Sequence, residues 1–220
     1  MRLPLSLIAL FIIVCIGACK PKTQDLSGIQ LGYDYYPNRI DSYIVYEVDS
    51  TWYGLVEENF TYQIKEIISE QFVDDTGQPA VRVERFLRHF PNQPWVLIDV
   101  WVQKRTPTTA ERVEENVRYI KLEFPVENGG SWLGNTYNTH EPWTYTYEQV
   151  DEPVDIGELE FARALKVNQR YYVNLVEQQI AYEIYAYDIG MVYKQNTNVT
   201  YQSGDPSGYD VRYRAISYSH

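Results

Sequence analysis

Histidine, cysteine and closely set carboxylates are the side chains of this 220-residue sequence that could catalyse a reaction or hold a metal. The three histidines are His89, His140 and His220, and the two cysteines are Cys15 and Cys19. Zinc sites gather His and Cys ligands at short spacings. His89 and His140 are far apart and no His-Glu-x-x-His run occurs, so no metal is expected. A Ser–His–acid triad assembles in space and leaves no fixed spacing, but no serine sits in a Gly-x-Ser-x-Gly elbow. Glycosidases need two carboxylates facing each other across a cleft. Here Asp74-Asp75 reads as a turn and Glu114-Glu115 as a solvated face. Asp74-Asp75-Thr76-Gly77 is too short for a calcium loop, and no glycine-rich phosphate loop follows a strand. The expectation is a protein that is not an enzyme and carries no cofactor. The best candidate contact site is the loop region of Phe124, Trp132, Tyr137, His140 and Trp143. Its glycines give freedom and its aromatics give grip.

The elements that must position these residues begin after a distinctive leader. Arg2 precedes an apolar run from Leu5 to Val14, and Cys15-Ile16-Gly17-Ala18-Cys19 follows. A basic residue, a short apolar core and small residues before a break are the parts of a secretory signal peptide. The core is shorter than the roughly 20 residues of a membrane-spanning helix. Ile16-Gly17-Ala18-Cys19 resembles the lipobox of bacterial lipoproteins, which implies cleavage before Cys19 and acylation of its sulfur. Two or three acyl chains anchor firmly, since each buried methylene contributes about 0.8 kcal/mol. The expected organisation is a signal peptide over 1–18, a lipidated tether over 19–32 and one β-rich domain over 33–220. By the sorting rule in which Asp after the cysteine retains a lipoprotein in the inner membrane, Lys20 implies the outer membrane. The acidic run that sends some lipoproteins to the cell surface is reduced to Asp25 here, which leaves the periplasmic and surface faces both open.

Cysteine usage leaves no disulfide within one mature chain, so stability must come from packing. The net charge of −11 argues against phosphate-backbone binding, which needs clustered Lys and Arg. Nucleic acid is therefore not an expected partner. The 21 tyrosines favour strands, where the ring covers a pleated surface and the hydroxyl reaches water.

Alternation of apolar and polar residues predicts strands over 42–53, 59–73, 80–90, 95–104, 117–124, 143–150, 158–167, 191–201 and 209–218. Asp74-Asp75-Thr76-Gly77-Gln78-Pro79 supplies the turn of a long hairpin. The fold class is mainly β: an antiparallel meander forming a curved sheet, sandwich or half-open barrel. Two short helices compete with strand. Thr108-Thr109-Ala110-Glu111 has the form of a capping box, and Leu175, Gln179 and Tyr182 fall near helical spacing; strand is the favoured reading of both. Tyr36-Pro37 before Ser42-Tyr43 is echoed by Phe124-Pro125 before Ser131-Trp132. The echo fits a duplicated half-domain, and it fits coincidence in a tyrosine-rich chain.

These segments, with Gly129-Gly130-Ser131-Trp132-Leu133-Gly134 and Tyr185-Ala186-Tyr187-Asp188-Ile189-Gly190-Met191-Val192-Tyr193-Lys194, resemble a pattern in uncharacterised outer-membrane lipoproteins of the Bacteroidetes. Ile40-Asp41 departs from that pattern, where glycine is usual, and Tyr43 stands in place of its tryptophan. The resemblance implies a lipid-anchored β domain and brings no activity, ligand or catalytic residue. Asp49-Ser50-Thr51 also fits the pattern that these bacteria O-glycosylate, which would place a glycan on Ser50.

Three readings of function fit. The first is a non-catalytic envelope lipoprotein whose domain binds a protein or polymer, and it predicts an exposed apolar patch. The second is a half-barrel holding a lipid or other hydrophobic ligand, and it predicts a continuous apolar concave face. The third is an envelope or glycan hydrolase, and it predicts two acids, or His140 and an acid, within hydrogen-bonding reach in a cleft.

Overall fold

The computed structural model of the protein describes residues 30–201 and 205–219. The leader, Cys19 and His220 lie outside the described residues. The alternating segments form twelve strands: β1 (Tyr43–Tyr53), β2 (Glu58–Val73), β3 (Pro79–Arg88), β4 (Val96–Arg105), β5 (Thr109–Glu114), β6 (Val117–Glu123), β7 (Ser131–Leu133), β8 (Thr144–Ile156), β9 (Leu159–Val173), β10 (Glu177–Ala186), β11 (Gly190–Thr200) and β12 (Ser207–Ser219). They make one antiparallel sheet in the order β6-β5-β4-β3-β2-β1-β12-β11-β10-β9-β8-β7. The sheet is an up-and-down barrel, nearly closed. A single 3-10 turn, Tyr33–Tyr35, is the helical element among the described residues.

Both places where helix competed with strand are strand. The capping-box residues enter β5, and Leu175 precedes β10. Local propensity is overridden because β5 and β10 each find a neighbouring strand on both sides. The sandwich alternative gives way to a single sheet that curls on itself.

Period-two burial sorts the two faces. Along β1, Tyr46, Val48 and Ser50 are buried in the lumen wall, while Glu47, Asp49 and Thr51 are only half-buried on the outer face. That outer face is charged: Arg214 bridges Glu47 at 3.1 Å and Asp49 at 2.6 Å, and Lys166 meets Glu148 at 3.0 Å. Lys or Arg facing lipid near the bilayer midplane costs roughly 2–4 kcal/mol, so this stretch of wall is built for water. No helix among the described residues is long and apolar enough to cross a membrane.

Up-and-down topology puts the β1–β2, β3–β4, β5–β6, β7–β8, β9–β10 and β11–β12 connections on one rim, here called upper. The entry to β1 and the remaining connections form the lower rim. The two echoed aromatic–Pro segments lie just before β1 and β7, the first strands of two runs of six. They also pack against each other at the lower rim. The Tyr33 and Phe124 rings meet edge-on at 4.7 Å, and the Val126 amide donates to the Leu31 carbonyl. Tyr36 reaches into the lower lumen, where its hydroxyl donates to the Glu111 carbonyl at 3.3 Å. Gln103 and Arg105 hold the backbone of this entry segment by bonds to the Pro37, Tyr33 and Tyr36 carbonyls.

The free edges β6 and β7 are joined mainly by side chains. The Ile120 amide donates to the Gly134 carbonyl, and the Trp132 indole donates to the Ile120 carbonyl at 3.0 Å. Tyr147 both accepts from the Glu123 amide and donates to the Glu123 carbonyl. Such cover matters because an unpaired edge invites pairing with another chain. The seam leaves no room at Gly134, where an added Cβ would stand 2.3 Å from the ring of buried Tyr145. Gly134→Ala is therefore expected to cost about 1–3 kcal/mol and to loosen the seam. Hydrogen exchange should show faster exchange at Ile120 than in the β1–β12 ladder; unchanged protection there would refute this.

Candidate functional site

A cavity of about 380 Å³ opens at the upper mouth of the lumen. That volume falls within the ~300–1,000 Å³ of small-molecule sites. Strand alternation delivers its floor and the β7–β8 connection delivers its lip.

Four charges form the floor. Glu114 at the end of β5, Lys121 on β6, Glu183 on β10 and Lys194 on β11 all face inward. Lys121 Nζ lies 2.5 Å from Glu183 and 3.2 Å from Glu114, and Lys194 Nζ lies 3.7 Å from each carboxylate. Tyr185 completes the floor by donating to Glu183 Oε2 at 2.6 Å. Burial works to raise the pKa of both acids, but Lys121 and then Lys194 outweigh it, so both are held below the usual carboxylate range. For Lys121, burial works to lower the pKa, and the two carboxylates reverse this and hold it above the usual lysine range. Both acids and Lys121 are thus ionised at physiological pH, and the quartet pairs two carboxylates with two lysines. Carboxylates held down in this way accept hydrogen bonds but do not donate a proton, as the acid of a glycosidase must.

The walls are aromatic and amidic. Tyr119, Tyr145 and Tyr209 rise from β6, β8 and β12, with Trp143 at the lip beside His140 and Glu141. The His140 ring meets Tyr119 edge-on at 6.1 Å, and the His140 amide donates to Asn138. No hydrogen bond joins the His140 ring to a carboxylate among the described residues. Nor does any group of His, Cys, Asp and Glu among them have the arrangement to hold a metal ion.

Of the loop expected to make contact, His140 and Trp143 line the cavity. Tyr137 is half exposed, with Arg118 over its ring at 4.3 Å. Phe124 and Trp132 belong to the core instead, because the seam needs them there. Ser50 is 4% exposed on the lumen side, so the folded barrel shields the hydroxyl expected to carry a glycan. Glu114, read from sequence as solvated, faces the lumen, and only its neighbour Glu115 is exposed. The missed residues are Lys121, Glu183, Lys194 and Gln169. A signal existed for them: each interrupts the inward-facing register of its strand, as Glu183 does between Ala181 and Tyr185.

Lower in the lumen, Glu66 on β2 binds Arg85 at 3.1 Å and Arg112 at 2.7 Å. Arg85 lies over the Trp101 ring at 3.7 Å and also meets Asp99 at 3.1 Å. A small space of about 50 Å³ lies beside this cluster, with Tyr36 and Tyr46 in its lining.

Fold and site together define an antiparallel barrel with a charge-balanced, aromatic-walled mouth. No family model matches the chain, and a search of curated proteins finds no match. Among solved structures the chain is similar to a protein from Bacteroides fragilis NCTC 9343 described as exported and of YMCC-like fold. That similarity is 10% identity over 84% of this chain and 98% of the other, with a TM-score of 0.43. A likeness of that strength carries no argument about function.

Proposed function

We propose that the protein is an outer-membrane lipoprotein, anchored through Cys19, whose barrel is a non-catalytic binding module for a polar ligand at its upper mouth. The observation that carries this reading is the cavity itself, large enough for a ligand and floored by a charge-paired quartet of Glu114, Lys121, Glu183 and Lys194. Fixed dipoles and charges of this kind orient a polar guest at little reorganisation cost. The anchor rests on the lipobox-like Ile16–Cys19, and the Bacteroidetes lipoprotein resemblance agrees with it. Exposed apolar residues on three of the upper tips, Leu55, Val56, Phe90 and Leu175, suit a binding mouth that also touches a larger partner such as an envelope protein or polymer. An acyl chain fits this interior poorly, because the charged floor fills the position where a continuous apolar face would be needed.

Two measurements test the reading. Radiolabelled palmitate should label the wild-type chain and not Cys19→Ala; equal labelling of both would remove the anchor. Native mass spectrometry of the full-length protein, released from mild detergent, should show no tightly held lipid beyond the covalent anchor. A phospholipid or fatty acid retained at one per chain would overturn the polar-ligand reading in favour of a carrier.

A further inference from the structure

The mouth cavity contains two buried polar atoms with no partner. Asn135 and Gln169 are each 8% exposed, and both line the cavity. Asn135 Nδ2 donates to the Glu141 carbonyl at 2.6 Å, which fixes the amide and leaves Oδ1 as a free acceptor. Gln169 Nε2, on β9 beside β8, is a free donor. Leaving such groups unpaired in a folded interior costs roughly 1–3 kcal/mol each, so water or a guest in the cavity must satisfy them.

The chemistry of that guest can be read from what surrounds the two atoms. One wants a donor and the other an acceptor, and a hydroxyl is both at a single oxygen. Asn196 adds a third amide to the wall, while Tyr119, Tyr145, Tyr209 and Trp143 offer aromatic faces. Alternating hydroxyl edges and C–H faces are the two surfaces of a sugar ring. The charge count decides between sugar classes: Glu114 and Glu183 are matched by Lys121 and Lys194. Glu141 at the lip then leaves no excess of positive charge to draw a uronate or phosphate. We infer that the upper mouth is a saccharide-binding site for a neutral oligosaccharide segment, with Gln169 and Asn135 as its hydrogen-bonding anchors.

This rests on the polar-ligand reading of the mouth and sharpens it. The test is isothermal titration of the full-length protein in a detergent without a sugar headgroup. The probes are malto-, cello-, manno- and galacto-trioses, with the matching acidic trisaccharides and mixed tripeptides for comparison. At least one neutral triose should bind, and Gln169→Leu should weaken it by about tenfold or more, the size of one lost buried hydrogen bond. The apo melting temperature of Gln169→Leu should be unchanged or higher, because the variant removes an unpaired donor; a merely structural glutamine would lower it. Asn196→Ala serves as a second variant with the same expected loss of affinity. Neutral trioses giving no heat, or binding to both variants as to wild type, would overturn the saccharide inference. Tripeptide binding without sugar binding would overturn it too, yet leave the polar mouth standing. A retained lipid in the native mass spectrum would remove both.

Discussion

Glu66→Leu is expected to destabilise the barrel by about 3–5 kcal/mol, the cost of stranding buried charges. Glu66 is 7% exposed and is the shared partner of Arg85 and Arg112, which are 6% and 7% exposed. Burial works to raise its pKa, but Arg112 and then Arg85 hold it below the usual range, so it is the charge that keeps two guanidiniums in the lumen. Once it is gone, Arg85 retains the partly exposed Asp99 and the Trp101 ring, whereas Arg112 keeps its weaker stacking on Trp101 at 5.2 Å and the more distant attraction of Glu114. Since each kcal/mol moves a domain of this size by about 2–4 °C, thermal melting followed by circular dichroism should drop by on the order of 10 °C. A triple replacement, Glu66→Leu with Arg85→Met and Arg112→Leu, should recover much of that loss, because apolar packing in place of a whole buried ion cluster is often neutral or better. A single variant that melts like the wild type would show that water reaches the cluster and screens it.

Acid should unfold the protein in a defined window. Glu66, Glu114 and Glu183 all have folded pKa values below the usual range. A depressed folded value contributes stability that is present above the unfolded value, near 4.3 for glutamate, and lost as pH falls through the folded value. Stability should therefore be flat from neutral pH to about pH 5 and fall steeply below the glutamate range. Protonating Glu183 leaves Lys121 and Lys194 to share Glu114 alone, with one positive charge uncompensated. The alkaline limb has the opposite sign. Burial raises the pKa of Tyr36, Tyr46 and Tyr185, and it pushes Tyr62 up to about 12. A raised value contributes stability present below the unfolded value, near 10, and lost as pH rises through the folded one. Urea melts across pH check the acid limb, and tyrosinate absorbance checks the alkaline limb. The buried hydroxyls should ionise only as the fold opens. If all tyrosines titrated together near pH 10 with the fold intact, the packed lumen described above would be wrong.

Most of the strands were legible in the sequence, though the three-residue β7 lay hidden in what reads as a loop, and so was the Asp74–Pro79 turn, where Asp74 takes bonds from the Thr76 and Gln78 amides. The candidate site was half legible. His140 and Trp143 stood out as aromatic and polar loop residues, and both reach the cavity. Its floor was legible only in part: Lys121, Glu183 and Lys194 interrupt the register of their strands, but they and Glu114 read as ordinary solvated residues until one knows which face of each strand encloses the lumen. Tyr36-Pro37 and Phe124-Pro125 were visible as an echo, but only folding puts both at the lower rim against each other.

What the sequence determined by itself is local: period-two alternation and turn chemistry make these segments extended and fix two faces on each. Tertiary structure decided which face is inside, that β1 pairs with β12, and that β6 and β7 meet at a seam. The physical reason is that alternation carries no information about long-range partners. Closure of the sheet chooses them, and in doing so it gathers charges scattered along the chain into a charge-paired, buried floor.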